Sequence, residues 1–299
     1  STDAIFRRSA ALSNFLKIAV LLIVAISSGC SGSTSQDWYT IISSKAHEIS
    51  ATEDTKLLDD HRTLIKAEIR PALKFASPSQ ISDVGEAYTR FLTEEFEEVY
   101  NQRTIAKAES ARFQASARAG IELFRDIDPK WGDRTFRALV PTLERFQEWL
   151  PKETSHFNMA INWLTGLQET KATLLNASGA AVSSESLTLV LKRFITLAFE
   201  SQSERNQKSI ADSLFSNWEE DLPLVRSEIN ELLRTSHSFV AGEIYSRYGQ
   251  SLELDEPLTV ITNSLEKAIS LKDYTAIYGE CRTYIGRANN LAIDPRPIL

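Results

Sequence analysis

Residues 78–126 read PSQISDVGEAYTRFLTEEFEEVYNQRTIAKAESARFQASARAGIELFRD. Within this stretch Ile81, Val84, Tyr88, Leu92, Phe96, Val99, Ala106, Phe113, Ala117, Ile121 and Phe124 recur mostly at intervals of three, four or seven residues. That is the spacing of an α-helix with a coiled-coil-like seam. Unbroken from Ile81 to Asp126, it would extend about 69 Å at 1.5 Å per residue. A compact globule of the chain beyond its N-terminal segment would have a diameter of only about 47 Å. Either the segment bends or the molecule is elongated, and Arg103 and Ser110 on the seam, with Gly120 near its end, are the expected weak points.

The same helical reading extends in both directions. Upstream, Asp37 is expected to cap a helix through Ile49, and Thr52 or Asp54 a second through Leu73, with a kink or early end at Pro71. Downstream, Asp128-Pro129 stops the long segment. A helix over Asp133 to Leu150 follows, bent at Pro141, and then one from Pro151 through Leu175, closed by Asn176 to Gly179. Leu187, Leu191, Phe194 and Ala198 keep helical register from Ser184 to Phe199. Glu200 to Ser209 contains no apolar residue and reads as a solvated helical span or a loop, and the pattern resumes from Ile210 to Asp221. Pro223 and Pro257 read as helix-opening prolines, for segments reaching Tyr248 and Leu271, and Asp273 to Ala292 closes the chain's pattern. No strand or hairpin signal interrupts it. The expected fold is therefore all-α, an elongated multi-helix bundle with long antiparallel, coiled-coil-like helices. Its body spans 37–299, with a possible internal boundary near 176–184.

Composition agrees with a folded, helix-rich body. The 299 residues are 42% hydrophobic and 24% charged, with only 11 Gly and 9 Pro. The formal charge of −7, without a basic stripe interleaved with aromatics, argues against a nucleic-acid partner. Two Cys and 4 His allow neither a disulfide framework nor zinc fingers.

The N-terminus has a different character. Arg7, Arg8 and Lys17 precede an apolar run from Ile18 to Ile26, followed by Ser27, Ser28, Gly29 and Cys30. Charge, apolar run and small residues occur in the order of a secretory signal. The run spans only about 14 Å as a helix, half of a ~30 Å hydrocarbon core. An inner-membrane signal anchor, reaching back over Lys17 and Asn14, is the alternative.

Ile26-Ser27-Ser28-Gly29-Cys30 resembles the lipobox of bacterial lipoproteins, with Ser27 standing where that family usually has an aliphatic residue. The resemblance implies that residues 1–30 form a signal peptide, that Cys30 carries a diacylglyceryl group, and that cleavage makes Cys30 the N-terminus. It implies further, from Ser31 after the cysteine, the periplasmic face of the outer membrane. Residues 31–36, small and polar, would then be a tether. The signal segment carries a net +2, so the remainder moves from −7 to −9. Such a body is repelled by anionic lipid, and its membrane contact would come from the anchor. Cys281, in an apolar-spaced helical stretch, is expected to be a buried, inert thiol.

Few residues suggest chemistry. Glu153-Thr-Ser-His156 has the Glu-x-x-His spacing of di-iron bundles, but one copy where two are needed, and it is a weak metal candidate. The other histidines, His47, His61 and His237, have no local partner for a zinc pair. Glu94-Glu95-Phe96-Glu97-Glu98 reads as a solvated face, Asp59-Asp60-His61 as surface, and Trp131, Trp149, Trp163 and Trp218 as core rather than a ligand cleft. No catalytic motif and no cofactor signature is present, so a non-catalytic scaffold or adaptor for an envelope protein partner is the leading expectation. The alternatives are a periplasmic carrier of a small ligand or metal in an interhelical cleft, and an envelope enzyme without a recognisable motif.

Overall fold

A computed structural model of the chain describes residues 34–52, 54–149, 154–178, 182–200 and 204–235. Beyond these it describes 245, 247–254, 269–275, 277–279, 281–282 and 285. Cys30, Glu153 and Pro257, and the segments around them, lie outside the described residues. Those described are helices and their connections, with no strand, so the fold is all-α. No helix among them is long and apolar enough to cross a membrane.

The first helix, α1 (Ser35–Ala46), starts two residues before the expected cap. Thr34 is the N-cap, and Asp37 completes a capping box from the third helical position, its carboxylate accepting the Thr34 backbone N–H at 2.9 Å. Next, α2 (Leu57–Leu64) runs into a π-helical turn (Ile65–Ile69), in which the Arg70 N–H reaches back five residues to the Ile65 carbonyl, and then into a last turn over Arg70–Leu73. Pro71 explains the widening: it has no N–H to offer the Ala67 carbonyl, and its ring would collide with that carbonyl in a regular α-turn. The kink expected at Pro71 is taken up by this wide turn.

The long segment is not one helix. α3 (Pro78–Tyr100), opened by a Ser77–Gln80 capping box with Pro78 in the first turn, ends at the polar run Asn101 to Thr104. α4 (Lys107–Phe124) then folds back along it. Tyr88 pairs with Ser116, Glu95 with Arg112 and Tyr100 with Ser110, so the partner number falls as the first number rises, which defines an antiparallel hairpin. The break falls at Arg103. Ser110 lies inside α4, where its hydroxyl meets Tyr100 at 3.0 Å, and Gly120 is no weak point.

Gly120 instead forms half of a socket. The Trp131 indole is 1% exposed, stacks on Phe124 with centroids 4.6 Å apart and donates its Nε1–H to the Gly85 carbonyl at 3.0 Å. A Cβ on Gly120 would lie 2.6 Å from Trp131 Cη2, and one on Gly85 would lie 3.2 Å from Trp131 Cδ1. One glycine from each arm of the hairpin thus admits the ring that opens α5 (Trp131–Leu139). Val140 is extended (φ −67°, ψ 129°), as a residue before proline must be, so Pro141 ends α5 outright and does not merely bend it. α6 (Leu143–Trp149) follows.

α7 (Thr154–Ser178) packs on both arms of the hairpin. Tyr100 lies against Gly166, where a Cβ would come within 2.7 Å of its ring, and its hydroxyl donates to Glu169 at 2.7 Å. Gln114 bridges Thr170 and Thr173 at 3.2 and 2.8 Å. α8 (Ser184–Glu200) and α9 (Glu204–Asn217) pack together, α9 also against α7. The apolar-free span after Glu200 is thus helical from Glu204 onward. A 3-10 turn (Glu219–Val225) containing Pro223 leads into α10 (Arg226–Thr235). Asp133 of α5 accepts the Ser183 N–H at 2.7 Å and the Ser186 hydroxyl at 2.8 Å, fixing the start of α8. All four tryptophans read as core are buried, and Leu174 and Leu187, on either side of 176–184, share one hydrophobic core. Cys281 is half-buried rather than buried.

Candidate functional site

Two buried titratable side chains, Glu95 and His61, lie where α1 and α2 pack on the α3–α4 hairpin. Surface contacts hold the two layers in place. Arg90 bridges Glu94 at 2.9 Å and Gln36 at 2.7 Å and stacks over the Tyr39 ring, while Tyr39 donates to Glu94. On the other edge, Arg62 of α2 forms a two-pronged pair with Glu122 of α4 at 2.7 and 2.8 Å. Between these clamps, Glu95 is buried.

Glu95 belongs to the acidic run that reads as solvated, yet its side chain is 6% exposed. Its place on the helix explains this. Phe91, Glu95 and Val99 are four residues apart and face the same way, and α1 and α4 cover that stripe from two sides. Arg112 of α4 donates from Nη2 to Glu95 Oε2 at 3.1 Å, and His47, the C-cap of α1, brings Nε2 to 3.4 Å from Oε1. Burial raises the Glu95 pKa, and the nearby Glu98 carboxylate adds to this, while Arg112 and His47 oppose it.

The His47 ring is oriented from behind. Its Nδ1 lies 2.6 Å from the Ser43 carbonyl, which can only accept, so Nδ1 carries a hydrogen and Nε2 is the nitrogen turned to Glu95. Glu98, one turn after Glu95, completes a group of three whose donor atoms all lie within 4.8 Å of one another. Sequence reasoning passed over His47 because its partners are not four residues away but on another helix.

His61 corrects the surface reading of Asp59-Asp60-His61. Leu57, His61, Ile65 and Ile69 follow one another at four-residue steps and are all buried, so the imidazole sits on the apolar stripe of α2, 1% exposed. Neither ring nitrogen has a hydrogen-bond partner, and nor does the buried Nε of Arg112. Desolvation first, and the Arg112 charge second, push the His61 pKa down to about 4. A cleft of about 570 Å³ lies between the end of α1 and α2, with a rim of mixed sign formed by Lys45, Glu48, Lys56, Asp60 and Glu68.

This burial makes a pH prediction. Between pH 6.5 and 4 the unfolded chain binds a proton on His61 that the native state refuses, so stability falls as pH falls through that window. The loss from this one group between pH 7 and pH 5 is about 2 kcal/mol. A His61→Leu variant should lose correspondingly less stability over that interval, measured as the shift in urea midpoint at the two pH values. Equal shifts in both proteins would show that His61 is not held neutral.

Of the residues singled out from sequence, Glu153 lies outside the described residues and His156 is placed only as part of the α7 backbone. Compared with protein-family models, curated proteins and solved structures, the chain matches none.

Proposed function

We propose that the chain is a lipid-anchored envelope protein whose helical body serves as a non-catalytic scaffold or adaptor for a protein assembly. The observation that carries this reading is the N-terminal order of basic residues, the apolar run Ile18 to Ile26 and Ser28-Gly29-Cys30. Acyl chains on Cys30 each contribute about 0.8 kcal/mol per buried CH₂, and more than one chain is needed for stable anchoring. Ser31 directs the proposal to the periplasmic face of the outer membrane. The body would be an elongated stack, and what supports this is the packing order, in which α1 and α2 lie on the α3–α4 hairpin, the hairpin on α7, and α7 on α9. Such a stack offers an envelope partner an extended set of helix faces.

The test is the intact mass of detergent-extracted protein beside a Cys30→Ala variant, followed by in situ crosslinking of the native form. The expected result is a chain beginning at acylated Cys30, an unprocessed variant, and a crosslinked envelope protein that is lost when the anchor is lost. A full-length mass without lipid would reject the anchor, leaving the N-terminal segment as an uncleaved inner-membrane anchor or an interaction segment.

A further inference from the structure

We propose that His47, Glu95 and Glu98 bind one divalent transition-metal ion of the zinc type, which staples the C-terminal end of α1 to α3. The site goes beyond the scaffold reading and does not depend on the anchor.

Three features of the geometry point to a cation. First, the donors are an imidazole nitrogen and two carboxylates converging from two helices, with ligand atoms within 4.8 Å of one another. Side-chain rotation at the two exposed members, His47 and Glu98, can close that spacing to the span of a metal shell with 2.0–2.2 Å bonds. Second, His47 and Glu95 are each already oriented by a group outside the cluster. Ser43 takes the Nδ1–H of His47 at 2.6 Å, which turns Nε2 toward the cluster, and Arg112 holds Oε2 of Glu95 at 3.1 Å, which leaves Oε1 for an ion. A histidine whose second nitrogen donates to a backbone carbonyl, and a carboxylate whose second oxygen is hydrogen-bonded, are the outer-shell arrangements of metal sites. Third, Oε1 belongs to a side chain more than nine-tenths buried and faces His47 Nε2 at 3.4 Å. A cation between these two atoms would be ligated by both, in the place a shared proton would otherwise take.

The charge balance is compatible with occupancy. Glu95 and Glu98 carry two negative charges, of which Arg112 compensates one. Three protein ligands including a nitrogen suit zinc, with solvent in the remaining position beside the exposed His47 and Glu98, and do not suit calcium, which takes six to eight oxygens.

The experiment uses the full chain in detergent, stripped with a chelator and dialysed against zinc, manganese or calcium chloride, with bound metal measured by mass spectrometry and thermal midpoint by circular dichroism. Zinc should bind at about one per chain and raise the midpoint, with calcium without effect. His47→Ala and Glu98→Gln, both at exposed positions, should keep the helical spectrum and weaken zinc binding by at least about tenfold. A Glu153→Gln/His156→Ala variant should bind as the parent does. Zinc far below one per chain in the parent would make His47 and Glu95 a plain ion pair and overturn the site. Retention of binding in either His47→Ala or Glu98→Gln, or its loss on changing Glu153 and His156, would overturn it as well.

Discussion

Replacing Trp131 by alanine is expected to destabilise the protein by about 3–5 kcal/mol, the cost of emptying a large aromatic site whose walls cannot collapse. The indole makes an edge contact with Tyr88 at 5.6 Å as well as stacking on Phe124, and its Nε1–H bond to Gly85 ties α5 to α3. The companion change is more diagnostic. Gly120→Ala improves intrinsic helix propensity by about 1 kcal/mol, yet its methyl would lie 2.6 Å from Trp131 and 2.8 Å from Tyr88. It should therefore destabilise the parent by about 1–3 kcal/mol. In the Trp131→Ala background Tyr88 has room to move aside, and most of that penalty should disappear. Chemical denaturation of the four proteins gives the coupling directly, and additive effects would mean that the ring and the glycine do not share a site.

Lys171→Met should cost about 3 kcal/mol by a different route. Lys171 of α7 bonds to Asp221 in the 3-10 turn, with both side chains mostly buried, and its ammonium lies 5.6 Å from the centre of the Trp218 ring. Removing the cation leaves the carboxylate desolvated and uncompensated, which is costlier than losing the pair as a whole. Lys171→Met with Asp221→Leu should therefore recover much of the loss, read as the difference in urea midpoint among parent, single and double variants. If the double variant is no more stable than Lys171→Met, the pair is not what holds the turn to α7.

These two sites show how much of the structure could be read in advance. Trp131 and Trp218 were recognisable as core because large apolar residues at helical spacing seek burial, and Ser184 to Phe199 was legible from its register. The stop at Pro141 was visible as a bend because a proline disturbs helix locally, whatever surrounds it. The turn at Asn101 to Ala106 was legible only as a weak point at Arg103 on the seam. It contains neither Gly nor Pro, and what drives it is the burial gained when Phe96 and Tyr100 meet Phe113, with centroids 5.3 and 6.0 Å apart, a long-range term no local pattern contains.

The site was the least legible part. Glu95 and His61 each lie on an apolar stripe, Phe91-Glu95-Val99 and Leu57-His61-Ile65-Ile69, and that periodicity was an available signal of burial. It was outweighed by the acidic neighbours of both residues, since four carboxylates in five positions read first as solvation. The convergence of His47 and Arg112 on Glu95 had no signal in the sequence at all. It depends on how three helices are placed, and placement follows from packing.

The order of packing also bears on how the chain reaches its fold. Each helix of the N-terminal half finds its main partners within a few helices along the chain: α1 on α3, α2 on α4, α3 on α4. The loops to be closed are correspondingly short, so little chain entropy is lost before the first contacts form, and low contact order favours rapid folding. The α3–α4 hairpin can form as soon as Phe124 has been made, and Trp131, seven residues later, can enter its glycine socket without waiting for α7. A chain assembled in this way grows outward from its second layer, and the late-arriving helices dock on a surface that already exists.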